Sequence, residues 1–444
     1  LGFIFGIPYE NGIVPLSRKT YNSVFMKVLF TICSLLIAAT LFAQRNCASH
    51  NHQLQLEAQQ PAIAQAIADA EAKIQRTLSF SRRDTTANQI IHIPVVVHVL
   101  YNNAVQNISE AQIRSQIESL NKDFSNQNSD KDNRPAPFKG LAAECRIQFC
   151  LAQVNPQGER TNGIIRKSTP VTQFTANDAM KFNLQGGSNA WDSKKYLNIW
   201  VCAMGSRSLG YATVPGSPAD KDGVVIAYDV FGTEGTLRAP FNKGRTATHE
   251  VGHWMGLKHI WGDTHCGSDG IDDTPQQKSY NFGCPIFPRL SDCSANENGD
   301  MFMNYMDFSD DACMNMFTHG QKRKMRAAFA AGNARNSFLT SFACDSNLVQ
   351  AAPLPQNPEQ PQPVASPLQD ILQVYPNPVT GTATISYKPA TEMVNKPYLL
   401  YNATGVVVLK GVLTAEKNSM NLSHLPAGVY IFKAGSFTTK IFKR

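Results

Sequence analysis

The chain has 444 residues, 43% of them hydrophobic, which is enough for two or three domains and a large core. Its formal net charge of +7 is a mild basic excess spread along the length, with 17% of residues charged. No basic cluster reads as a nucleic-acid footprint, and no nucleic-acid partner is expected.

Residues 1–25 precede the first methionine and have no assigned role. Met26-Lys27, the apolar run from Val28 to Phe42 and then Ala43 follow the order of a secretory signal peptide, placed at 26–43. The run falls short of the ~20 residues that span a bilayer, so no transmembrane span is expected. Export makes disulfides durable. Of ten cysteines Cys33 leaves with the signal, and the odd remainder implies one unpaired thiol. Cys47 is the candidate, directly after the cleavage point. Behind it Ile63, Ile67, Ala70 and Ile74 recur at helical spacing after Pro61, a residue tolerated in a first turn.

A catalytic domain is expected from 88 to 346. Ile91 to Tyr101 reads as a buried strand. Ser109-Glu110-Ala111-Gln112 matches a capping box, and Ile113, Ile117, Leu120 and Phe124 then form one helical stripe. Ile147 to Val154, Leu197 to Cys202 and Gly223 to Asp229 read as further strands, and Thr318-His319-Gly320-Gln321 opens a capped helix reaching about Ala331.

The chemistry is concentrated at Thr248 to His259, which reads HExxHxxGxxH. On a helix His249 and His253 share one face, where two imidazoles can take one Zn²⁺. Glu250, a quarter-turn round the axis, suits a base that holds the attacking water. Gly256 permits a sharp turn that ends the helix and returns His259 as third ligand. Three protein nitrogens leave the fourth position open, as in a catalytic zinc site.

These residues resemble the metzincin metallopeptidases. Met303 to Asp311 is similar to the methionine turn of that group, with Met306 under the metal; alone it would be a core gap-filler. The run from Asn304 to Cys313, followed by Phe317-Thr318-His319-Gly320-Gln321, resembles the pappalysin family in particular. Phe308 stands where many metzincins carry a Tyr that helps the oxyanion, and Tyr305 is expected to pack instead, so the oxyanion donor is unassigned.

The resemblance implies an α/β (α+β) catalytic domain with a mixed, twisted sheet and a zinc cleft. It implies that 44–87 is a prosegment whose Cys47 thiolate takes the fourth zinc position; Arg82-Arg83, in a polar stretch after the helix, is the expected point of its removal. Gly223 to Asp229 would be the edge strand bordering the cleft, ready to pair with an extended substrate. The loop between His259 and Met306 would be pinned by Cys266 with Cys293 and Cys284 with Cys313, although spacing alone allows three pairings. Cys145, Cys150, Cys202 and Cys344 complete an even set of unreadable connectivity. Asp269, Asp272 and Thr274 lie in an acidic loop that holds Ca²⁺ in the family, and hard oxygen ligands suit that ion. Asp310 and Asp311, just after the methionine turn, would attract Arg or Lys after the scissile bond.

Residues 347–370 are rich in Pro and Gln and read as an extended linker. From 371 to 444 short alternating strands separated by turns read as a small all-β sandwich. Val374-Tyr375-Pro376-Asn377-Pro378 and Leu425 to Tyr430, with a terminal Lys-bearing strand, resemble the C-terminal sorting domain of type IX secretion in Bacteroidetes. The expectation is a secreted or cell-surface zinc endopeptidase made as a zymogen, acting on proteins or peptides and exported by the type IX machinery. The alternative is a surface-displayed adhesion protein on an inactive metzincin scaffold.

Overall fold

The computed structural model describes residues 45–80, 89–205, 208–293, 297–341, 343–344, 372–387, 396–402, 406–415, 417–434 and 437–444. The signal peptide, Arg82-Arg83 and the linker lie outside them. Two compact units divide at Pro353/Leu354.

In the first unit the elements run α1 (Ser49–Gln59), α2 (Pro61–Phe80), β1 (Ile91–Tyr101), α3 (Glu110–Phe124), α4 (Ala136–Lys139), β2 (Ile147–Leu151), β3 (Ile164–Ser168), β4 (Leu197–Cys202), β5 (Gly210–Ala212), β6 (Val224–Ala227), α5 (Arg245–Trp254) and α6 (His319–Ala327). The sheet has the order β2-β1-β4-β6-β5, with β3 pairing the second half of β1. All pairs are parallel except β5 with β6. β1, β4 and β6 are covered on both faces, which is why they read as continuous Val/Ile runs rather than alternating ones.

One expectation is overturned here. Val224–Ala227 lies inside the sheet, and the edge is the three-residue antiparallel strand β5. Gly210 has a physical reason to be glycine, since a Cβ there would stand 2.6 Å from the Val225 carbonyl oxygen.

The segment from Arg45 to Phe80 wraps this edge. Ala48 N–H donates to the Gly210 carbonyl at 3.0 Å and Leu209 N–H to the Asn46 carbonyl at 2.9 Å, so residues 46–48 add a short parallel strand to β5. Helix α2 buries the expected stripe of Ile63, Ile67, Ala70 and Ile74, and its Glu71 pairs with buried Lys324 at 2.9 Å. His52 of α1 meets Asp178 at 3.0 Å and packs on the Tyr211 ring at 4.5 Å.

The second unit holds β7 (Leu372–Tyr375), β8 (Thr382–Tyr387), β9 (Pro397–Tyr401), β10 (Val407–Val412), β11 (Lys417–Asn421), β12 (Gly428–Ala434) and β13 (Phe437–Lys443). They form two antiparallel sheets, β10-β9-β12-β13 and β11-β8-β7, around Ile385, Leu400, Leu422, Phe432 and Ile441. Among the described residues no helix is long and apolar enough to cross a membrane.

Candidate active site

Helix α5 is held from its start. Buried Arg245 bonds Asp123, Asp130 (3.0 Å) and the Tyr305 hydroxyl (2.7 Å), while the Thr248 hydroxyl donates to Asp123 at 2.6 Å. Removing Arg245 would leave two carboxylates facing each other in the interior, which is costly. The Tyr305 hydroxyl is thereby committed to Arg245, so Tyr305 packs, as expected.

The helix ends at Gly256, whose φ of +94° is the left-handed turn expected there, with the Leu257 N–H closing back on the Gly252 carbonyl at 3.0 Å. Gly252 was missed in the sequence. A Cβ on it would lie 2.6 Å from Met306 Sδ, so its bare Cα is what lets the buried methionine turn seat beneath the helix.

The turn brings His259 to the other two imidazoles. His253 Nε2 stands 3.1 Å from both His249 Nε2 and His259 Nε2. Each ring is oriented through its other nitrogen: His249 Nδ1 donates to the Tyr305 carbonyl at 2.7 Å, His253 Nδ1 to the Leu257 carbonyl at 2.8 Å, and His259 Nδ1 meets the Asp263 carboxylate. With the Nδ1 protons so placed, three Nε2 lone pairs face one point. Burial holds His249 well below the usual imidazole range and His253 at about 3, so both are neutral, the form that binds metal.

Such a convergence repels itself unless a cation lies within it. The spacing suits zinc, because nitrogens about 2.05 Å from a tetrahedral ion stand roughly 3.3 Å apart. Cys47 belongs to the same group, its Sγ and the three ring nitrogens all lying within 4.8 Å of one another.

Glu250 is buried beside this cluster, and burial raises its carboxyl to about 7. The Ser49 hydroxyl donates to Glu250 Oε2 at 2.7 Å while accepting the Ala212 N–H at 2.8 Å, and the Cys47 thiol reaches Oε2 at 3.5 Å. Phe308 lies 4.9 Å from the His259 ring and offers no hydroxyl.

Of the two acidic residues after the methionine turn, Asp311 is hydrogen-bonded by Arg45, whereas Asp310 feels its charge without a hydrogen bond to it. Arg45 donates from Nη2 to Asp311 Oδ1 at 2.5 Å, from Nη1 to Thr246 Oγ1 at 3.2 Å and from Nε to the Ser309 carbonyl at 3.2 Å, with its guanidinium 5.1 Å above the Phe241 ring. Asp311 Oδ2 accepts the Lys243 N–H at 2.8 Å, fixing the carboxylate at the start of the helix. Arg45, Ser49, Thr246, Phe241 and Asp263 carried no signal in the sequence.

The long loop closes through Cys266–Cys293 and Cys284–Cys313, the pairing implied by the resemblance, and Cys150 pairs with Cys344. The expectation of one unpaired thiol is corrected, because Cys145 and Cys202 are free as well as Cys47. Both are buried, which pushes Cys145 up to about 12 and Cys202 higher, so they behave as small core residues. In the acidic loop Asp269 Oδ1 accepts from Thr274 Oγ1 at 2.9 Å, buried Oδ2 has no hydrogen-bond partner, and Asp272 is exposed.

A family model described as pregnancy-associated plasma protein-A matches residues 183–330, and one described as a secretion system C-terminal sorting domain matches 373–444. An extracellular metalloprotease of Pyricularia oryzae is 32% identical over 276 residues, spanning 60% of this chain and 82% of its own. One from Verticillium alfalfae is 31% identical over 259 residues, spanning 56% and 81%. Mature mirolysin of Tannerella forsythia, solved with a cleaved peptide, is 49% identical across its whole length and 60% of this chain, at a TM-score of 0.57. A promirolysin mutant of the same organism is 45% identical across its whole length and 69% of this chain, at a TM-score of 0.63.

Proposed function

Because the chain belongs to the pregnancy-associated plasma protein-A family of metallopeptidases, we propose that it is the zymogen of a zinc endopeptidase in which Glu250 is the catalytic base and Arg45 to Ser49 enforce latency. It is a secreted or cell-surface protein with a C-terminal sorting domain. His249, His253 and His259 would hold the zinc, which when bound polarises a scissile carbonyl and lowers the pKa of water to about 7.

The chain's own residues do the rest. Glu250 takes the proton of the attacking water at Oε2 and returns it to the departing amine. In the zymogen the same oxygen is occupied by Ser49, and Cys47 closes the approach to the three imidazoles. Substrate is held after the scissile bond by the subsite that Arg45 fills, which offers three acceptors in three directions and an aromatic face. That arrangement suits a planar guanidinium better than a compact ammonium.

The observation that carries the reading is the convergence of three Nε2 atoms beside a buried carboxylate. Its test is Glu250→Gln in the mature, zinc-loaded protein. Folding and zinc content should persist while peptide hydrolysis falls by ~10²–10⁴-fold, and near wild-type turnover would remove Glu250 from its role.

A further inference from the structure

We infer that the loop 280–290 is an apolar docking surface for substrate side chains two to four positions beyond the scissile bond. The inference rests on the reading of the Asp311 subsite. Eight large hydrophobic side chains are exposed among the described residues of the first unit, and four of them fall in this loop: Tyr280 (38% exposed), Phe282 (64%), Ile286 (88%) and Leu290 (60%). Apolar groups gathered in that way mark a binding surface more often than chance exposure does.

The backbone beneath them is fixed. Asn281 N–H donates to Asp307 Oδ1 at 2.7 Å, and the Cys284–Cys313 disulfide lies between Phe282 and Ile286. Phe287 turns inward to meet the Phe138 ring at 6.0 Å. A segment so pinned cannot fold its remaining apolar side chains away, and it presents a preformed surface.

Its position names the occupant. The Gly283 carbonyl accepts the Asp310 N–H at 2.8 Å, so the loop abuts the residue next to Asp311, whose carboxylate holds the Arg45 guanidinium. An aromatic wall makes the same connection: Phe308 lies 4.9 Å from the His259 ring and 5.3 Å from the ring of Tyr280, two residues before Phe282 in the chain. In the zymogen the residues after Arg45 run back to the three imidazoles and pair with β5. A substrate cleaved before its Arg runs in the opposite sense, so its following residues leave the Asp311 subsite on the side away from the imidazoles, where the loop abuts Asp310. Leu, Phe or Ile there would cover the exposed side chains; Ser or Asn would not.

The test uses mature, metal-loaded protein and two peptides that share Arg after the scissile bond and differ in having Leu-Phe-Leu or Ser-Asn-Ser thereafter. Wild type is expected to cleave the apolar peptide with a KM about tenfold lower at similar kcat, and Phe282→Ser/Ile286→Ser to abolish the difference. A short peptide ending at the Arg is the control, cleaved equally by both proteins. Equal KM values in the wild type, or a preference that survives the double substitution, would overturn the inference. So would self-association of the wild type, or its binding to phosphatidylcholine vesicles, that the double substitution removes. Failure of the Asp311 reading shows separately, as a short peptide cleaved equally well with Arg or Ser at its end.

Discussion

Ser49 and Glu250 lie 201 positions apart in sequence and share a 2.7 Å hydrogen bond, through which the Ser49 hydroxyl occupies the carboxylate oxygen that water would use in the proposed mechanism. Ser49 is also satisfied by the Ala212 N–H, so Ser49→Ala leaves a buried acceptor and a buried donor without their partner. The uncleaved zymogen should then lose on the order of 1–3 kcal/mol of prosegment docking and leak about tenfold more activity. A fluorogenic peptide assay, with N-terminal sequencing to verify an intact prosegment, reads this out; unchanged leakage would mean that Cys47 and Arg45 suffice.

Asp311→Asn keeps the shape of the subsite and removes its charge. Losing one partner of a buried charge pair costs about 2–5 kcal/mol, so kcat/KM for Arg-containing peptides should fall at least ~30-fold while cleavage before uncharged residues changes little. Product sequencing on a mixed protein pool measures the shift. An unaltered Arg preference would transfer the role to Asp310.

How much of this was legible depended on the range of each contact. His249 and His253 are one helical turn apart and Gly256 needs a left-handed turn, so local geometry announces them. The contacts of Arg45 with Asp311 and of Ser49 with Glu250 cross more than 200 residues, and nothing near either residue foretells a partner. Strand β5 is three residues long and begins with Gly, too short to alternate, so the edge was assigned to the longer Val/Ile run of its neighbour. Free Cys145 and Cys202 were likewise illegible, because burial rather than spacing decides which thiols never meet.

Asp263 should matter for metal although it cannot reach it. It orients the third imidazole through Nδ1, and losing such a partner typically costs 10–100-fold in affinity. Asp263→Asn in the mature protein is expected to bind zinc more weakly by that factor in competition with a chromophoric chelator, and equal affinity would make the contact incidental.

Gly252→Ala places a methyl 2.6 Å from Met306 Sδ. Overpacking of this kind costs about 1–3 kcal/mol, so the melting temperature should drop by several degrees. Combined with Met306→Ala, the loss should be smaller than the sum of the two single losses, since the double substitution removes the atom that clashes. Additive losses would place the strain elsewhere.

Asp269 gives the acidic loop a pH signature. Burial raises its carboxyl from 3.8 to about 6, so the folded state favours the protonated form. The stability this contributes is complete below about pH 4 and is lost as pH rises through 6, an effect on the order of 2–3 kcal/mol in the absence of a bound cation. We propose that Ca²⁺ at Asp269 and Thr274 reverses the trend, because an ion needs the carboxylate charged and Oδ2 has no other partner. Calcium should then raise the melting temperature strongly at pH 7.5 and scarcely at pH 5, with Asp269→Asn losing the response. A calcium effect that is equal at both pH values, or that persists in the variant, would place the ion at another site.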